Sequence, residues 1–231
     1  MKKGLILSVG LIFILIGLFI GFYPELSNYV NVKNQSYAVE SYETYVAEVP
    51  KMETDKLFDE AQKFNDKLFE IGNIRQAKIK TLNNEFPEYE SLLNVYGDGI
   101  LGAVKIPKIN VEYPIYHGTD RAELNVAVGH LDYTSLPLGT PNSHCAIAGH
   151  TALATAKIFT DLDQLEIGDE FFLIVLDKEF KYVVDDIQIV EPEKYDSLNI
   201  VEGKEYVTLI TCTPPGVGNL RLLVRGERVI E

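Results

Sequence analysis

The side chain with the most chemistry to offer is Cys212, which ends the stretch Tyr206-Val207-Thr208-Leu209-Ile210-Thr211-Cys212. Val207, Leu209, Ile210 and the threonines favour a half-buried strand. Thr213-Pro214-Pro215-Gly216 cannot prolong it. A thiol is thereby set at the rim of a sheet, held by the strand and reachable from the loop. The thiolate is the nucleophile, so the cysteine needs a partner that can move protons. The chain has four histidines, His117, His130, His144 and His150. His150 ends the apolar run Cys145-Ala146-Ile147-Ala148-Gly149 just as Cys212 ends its own strand. Alternation along that run puts His144, Ala146, Ala148 and His150 on one face and Cys145 and Ile147 on the other. Cys145 is therefore expected as a packed core thiol, and His144 lies at the wrong end of the strand. His117 and His130 adjoin glycines and read as exposed loop histidines, although the Pro- and Gly-rich loop after His130 gives it a route to the site. Arg221 opens the next apolar strand, residues 220–225, beside the loop that follows Cys212. A guanidinium keeps its charge and can offer several N–H donors to an oxyanion. The plainer alternatives are that Cys212 is a small buried hydrophobe and that Arg221, Arg225 and Arg228 are surface charges.

Those residues must be carried by a folded domain. The chain has 231 residues, of which 46% are apolar and 24% charged, enough for one substantial core. Beyond residue 99, short apolar runs separated by turn residues predict strands over 100–106, 111–116, 143–150, 171–176, 180–190, 207–212 and 220–229. A short helix is expected over 119–124 with Thr119 as its cap, and another over 152–161. Many short strands with little helix imply a small barrel or sandwich. Ahead of this domain, Leu57, Ala61, Phe64, Leu68 and Ile71 recur at steps of four and three, the stripe of a packed helix. That helical pattern fades near Thr81, and Gly97-Asp98-Gly99 marks the boundary. Residues 26–49 read as a weakly helical, Tyr-rich stretch stopped by Pro50.

Met1-Lys2-Lys3 precedes Gly4–Tyr23, whose only polar residues are Ser8 and Tyr23. That is long enough to span a bilayer as a helix. No small-residue cleavage site follows it, so an uncleaved signal-anchor is favoured over a signal peptide. The lysines put the N-terminus on the cytoplasmic side. The expected organisation is a cytoplasmic N-terminus and membrane anchor in residues 1–23, an extracellular helical arm with a possible short lid in 24–98, and a catalytic barrel in 99–231. The formal net charge of −13 argues against nucleic acid and anionic lipid headgroups as partners; it would favour basic ones, although a solvated acidic surface with no partner is its more common meaning. Both cysteines are expected as free thiols, and no cofactor or metal is called for.

The residues also resemble a known family. Thr208-Leu209-Ile210-Thr211-Cys212 is similar to the cysteine motif of sortases, Ile147-Ala148-Gly149-His150 to their histidine strand, and Leu220-Arg221-Leu222-Leu223-Val224-Arg225-Gly226 to their arginine strand. Lys105-Ile106-Pro107-Lys108-Ile109, Pro114-Ile115-Tyr116-His117-Gly118-Thr119, Gly129-His130-Leu131 and Thr134-Ser135-Leu136-Pro137 resemble the pilin-polymerising class C. This resemblance implies an eight-stranded barrel with Cys212, His150 and Arg221 catalytic, and with His130, Thr211 and Thr213 near the substrate. It implies cleavage of an LPXTG-type motif between Thr and Gly, a Cys212 thioester, and transfer to a pilin Lys. Residues 81–95 contain Phe86-Pro87 but not the Asp-Pro-aromatic lid motif usual in class C. Thr151 stands where that class often has Arg. The alternatives are a sortase that attaches proteins to a peptidoglycan precursor and, from another class, a membrane-tethered barrel that only binds a partner.

Overall fold

The computed structural model describes residues 2–153, 155–194 and 196–230. Its strands are β1 (Ile100–Ile106), β2 (Val111–His117), β3 (Val128–His130), β4 (Ser143–Gly149), β5 (Glu170–Val175), β6 (Lys178–Val190), β7 (Glu205–Thr213) and β8 (Leu220–Arg228). They close into a barrel in the order β1-β2-β3-β4-β7-β8-β6-β5, with β5 paired back onto β1. Closure leaves no free sheet edge. The β2–β3 and β4–β7 pairs are parallel; the other neighbours are antiparallel. Inward positions carry Val104, Ile115, Ile147, Leu173, Leu209 and Val224, all fully buried. Phe171 and Tyr182 stack at 5.4 Å inside the same core.

Seven of these strands follow the apolar runs seen in the sequence. β3 was not foreseen, because three residues are too short to show a period. The helix expected over 152–161 is absent, and the described residues form turns. Two of their backbone N–H groups find acceptors outside the segment: Phe159 N–H bonds His150 O at 3.1 Å and Lys157 N–H bonds Asn28 Oδ1 at 2.8 Å. Ala156, Ile158 and Phe159 are buried in the core. Tertiary burial overrides the local helix preference there. The short helix near residue 120 exists as α4 (Arg121–Leu124), but Asp120 rather than Thr119 holds its cap position, without a side-chain bond.

The helical arm is more continuous than expected at its start and more broken later. A single helix, α1 (Lys2–Glu48), carries the apolar run straight through the Tyr-rich stretch, with Pro24 inside it. In the first part large apolar side chains such as Phe13, Phe19 and Phe22 stay exposed, as a lipid-facing helix requires. Length and composition make this a candidate membrane span. In the second part Gln35, Val39, Tyr42 and Val46 are buried at steps of four, three and four. Asn31 Nδ2 donates to Val126 O at 3.1 Å. The Tyr42 hydroxyl donates to Leu101 O and accepts from Leu176 N–H at 2.8 Å. α1 is thus bolted to the barrel along its length from Asn28 onward.

α2 (Lys51–Ile71) buries Ala61, Phe64 and Leu68 of the foreseen stripe. It ends at Gly72, whose φ of 65° is the left-handed conformation glycine adopts at little cost. Asn73 then caps α3 (Ile74–Leu82) by accepting from Arg75 and Gln76 N–H. One continuous pattern in the sequence is therefore two helices. Between α3 and β1, Phe86, Tyr89, Leu92 and Leu93 pack into the core.

Candidate active site

A groove of about 360 Å³ opens where β4, β7 and β8 reach one end of the barrel. Cys212 and Arg221 face each other as direct partners in the antiparallel β7–β8 register. His150 follows β4, and all three side chains line the groove. The link between the two parallel strand ends is Thr211, whose Oγ1 donates to Gly149 O at 2.8 Å. Thr211 precedes Cys212 and Gly149 precedes His150, so this bond fixes the thiol strand against the imidazole strand. Gly149 is required by close approach, because a Cβ there would come within 2.6 Å of the Phe159 ring.

The loop between β7 and β8 folds back beside the thiol. Gly218 N–H bonds Pro214 O at 2.9 Å, and a Cβ on Gly218 would lie 3.5 Å from Cys212 Cβ. Arg221 Nη1 donates to Gly218 O and Leu220 O, each at 3.0 Å. The guanidinium is therefore braced by its own loop. Partial burial, with the positive charge of Arg121 second, lowers the His150 pKa below the ordinary imidazole value and favours the neutral ring. Leu131, Leu198, Ile210 and Leu223 give the groove an apolar wall, and Glu191 and Lys194 give it a charged edge.

The two cysteines are free; Cys145 is buried and Cys212 half-exposed. Burial pushes the Cys145 thiol well up in pKa, which leaves it a core residue. Of the residues expected near a substrate, Thr211 lines the groove with its hydroxyl committed to Gly149. Thr213 pairs with Leu220 just outside the lining. His130 is corrected: it lies on β3, wholly buried, and no side of it reaches the groove. Its Nδ1 meets the Tyr89 hydroxyl at 2.8 Å and its Nε2 meets Ser135 O at 2.9 Å. Burial holds it neutral, with its pKa down at about 3. His117 is also no exposed loop residue, being half-buried against Gly99 O and Leu92 O. His144 bonds Thr208 Oγ1 at 2.7 Å inside the fold.

Arg225 and Arg228 are not plain surface charges either. Arg225 makes a two-point pair with Asp185, at 3.0 and 2.7 Å, and stacks over Tyr206. Arg228 lies over Phe180 and Tyr182. Sequence reasoning missed Tyr133, Glu191, Lys194 and Leu198 as groove residues. They sit on long connections, where no periodicity signals which side chain turns inward. None of residues 81–95 is among those that line the groove.

A nucleophile, an imidazole and a fixed cation at one rim, beside an apolar trough, form a set suited to acyl transfer from a peptide. Comparison with known proteins points the same way. The family model described as Sortase domain matches residues 104–229. Sortase D of Bacillus subtilis is 34% identical over 131 residues, covering 55% of this chain and 63% of that one. The crystal structure of sortase C1 from Streptococcus agalactiae superposes with a TM-score of 0.75 at 36% identity, covering 84% of this chain and 99% of that one. Clostridium perfringens sortase C, solved with the C-terminal cell wall sorting motif, gives a TM-score of 0.72 at 38% identity, covering 85% and 100%.

Proposed function

We propose, since this chain belongs to the sortase family of cysteine transpeptidases, that Cys212, His150 and Arg221 are its reaction centre. The substrate is a protein with an LPXTG-type sorting motif, and the final acceptor is a pilin Lys, so that the product is an isopeptide-linked pilus. The observation that carries this reading is the pairing of Cys212 with Arg221 across β7 and β8 at a groove that His150 also lines.

His150, neutral at rest, takes the proton of the Cys212 thiol as the sulfur attacks the Thr carbonyl carbon of the motif. Arg221 faces the oxyanion that forms there and stabilises its charge. The Thr–Gly C–N bond breaks as His150 passes a proton to the departing Gly amine, and a thioester remains on Cys212. His150, now neutral, takes a proton from the incoming Lys ammonium or its attacking amine. The new C–N bond forms and the thiolate leaves. The lowered His150 pKa supports the second half, where a neutral base is needed. The class C identity of the solved neighbours supports a pilin amine as acceptor. The apolar first part of α1 would hold the enzyme in the cell membrane, with Lys2 and Lys3 inside and the barrel outside.

The test is turnover of a fluorogenic LPXTG-type peptide together with intact mass of the acyl-enzyme. The wild type is expected to gain the mass of the acyl fragment, and Cys212→Ala to gain nothing. An adduct on Cys145, or cleavage that survives Cys212→Ala, would overturn the assignment.

A further inference from the structure

A second groove, about 600 Å³, lies between the later part of α1 and the turn into β1. Tyr37, Tyr45, Tyr96 and Tyr116 turn aromatic surface into it, and Glu40, Glu48 and Asp98 add carboxylates. Among the described residues no Lys or Arg lines it. Tyr45 and Tyr96 meet edge to face at 4.8 Å, which sets their faces at a fixed angle. Tyr37 and Tyr96 are 71% and 63% exposed. Large aromatics gathered in a concavity are unlike the scattered apolar exposure of an ordinary surface. The floor is rigid, because Tyr42 is buried there and its hydroxyl bridges Leu101 and Leu176.

Electron-rich ring faces with uncompensated carboxylates attract an ammonium or guanidinium and disfavour an anionic or purely apolar partner. Tyrosines supply the anchoring area typical of protein contacts. The placement matters as much as the chemistry. Tyr116 pairs with Gly129, and Gly129 with Ala148; Ala148 lines the catalytic groove. With strands about 4.8 Å apart, the two grooves meet the sheet roughly 10 Å from each other. Gly118 and Leu124 cover Gly129 between the two grooves, so a linking segment passes over that turn and needs more than the roughly three extended residues of the straight line.

We infer that the tyrosine groove docks a lysine-bearing segment of the protein that donates the amine, holding it while one Lys reaches the thioester on Cys212. This rests on the transpeptidase reading above, but its binding step does not require turnover. The full chain with Cys212→Ala, in detergent or nanodiscs, is titrated against a fluorescein-labelled short peptide carrying several lysines. The same peptide with norleucine in place of lysine is the control. The lysine peptide is expected to bind in a salt-sensitive way and the norleucine peptide much more weakly. Tyr96→Ala and Glu48→Lys are each expected to weaken binding about five- to tenfold. In the active chain the same two changes should raise the KM for the lysine peptide as acceptor, while release of the sorting fragment to hydroxylamine stays at the wild-type rate. Equal binding of the two peptides, or binding untouched by both substitutions, overturns the proposal whatever the activity. A chain that binds the lysine peptide through this groove yet forms no thioester would instead overturn the transpeptidase reading and leave the groove standing.

Discussion

Cys212 and Cys145 make the sharpest contrast at the scale of single residues. One sits half-exposed at a groove and the other is sealed in the core with its thiol pKa pushed up. Cys212→Ala is expected to abolish thioester formation. Cys145→Ala should keep turnover per folded molecule and lose only stability, as intact mass and urea unfolding would show. Arg221→Lys keeps a charge but loses the planar fork braced by Gly218 and Leu220. It is expected to lower kcat by about 10²–10³-fold. Arg225→Lys breaks the two-point pair with Asp185, so it should cost stability while kcat persists. A kcat loss equal in both variants would remove Arg221 from the reaction centre. Arg121 lowers the His150 pKa through its charge, after burial. Arg121→Gln should therefore raise that pKa, read from the ring-proton shift of His150 across pH. An unchanged or lower value would show that the two charges do not interact.

Among the elements, α2 is joined to the barrel by a pair of bonds from one side chain. Asn65 Nδ2 donates to Leu136 O at 2.9 Å and its Oδ1 accepts from Leu136 N–H at 2.7 Å, all buried. Asn65→Ala leaves both backbone groups unsatisfied and should destabilise the fold by about 2–4 kcal/mol in urea unfolding; a loss below about 0.5 kcal/mol would mean water replaces the amide. Nothing in the sequence marked Asn65 out, because it lies on the apolar stripe as a polar exception and its partner is far along the chain. The strands that carry Cys212, His150 and Arg221 were legible, since β-branched runs ended by Pro or Gly announce both strand and rim. The split between α2 and α3 was also written locally, in Gly72-Asn73, but the helical period running past it masked the break. The stripe Gln35, Val39, Tyr42 and Val46 was diluted by intervening tyrosines, and so the later part of α1 read as weak. Residues 152–161 misled in the other direction, since their conformation is set by Asn28, His150 and the core rather than by their own preferences.

For the whole molecule, three buried titratable groups contribute to how stability depends on pH. His130 and His144 are held neutral by burial, with pKa values near 3 and 4. Both lie below the unfolded value of about 6.5, so their contribution is complete above that pH and is lost as pH falls toward the folded values. Glu205 behaves oppositely. Burial raises its pKa to about 7, with its carboxylate accepting from the Tyr182 hydroxyl at 2.6 Å. Its contribution is complete below the unfolded value of about 4.3 and is lost as pH rises through about 7. Glu205→Gln should thus gain urea resistance over the wild type as pH rises from about 5 to 8, and the advantage should shrink in acid. A constant difference at every pH would show that Glu205 does not titrate in that window.

The unbroken run of α1 into the barrel has a mechanical consequence. With the proposed span in a bilayer, Asn28 lies only five residues beyond Tyr23, about 7.5 Å along the helix axis. Through Asn28 the same helix grips Lys157, in the segment that follows His150. The barrel then rides as a head on a short mast, its working rim at a set height above the lipid. A single residue inserted between Pro24 and Asn28 would lengthen the mast by only about 1.5 Å but turn the head by about 100°.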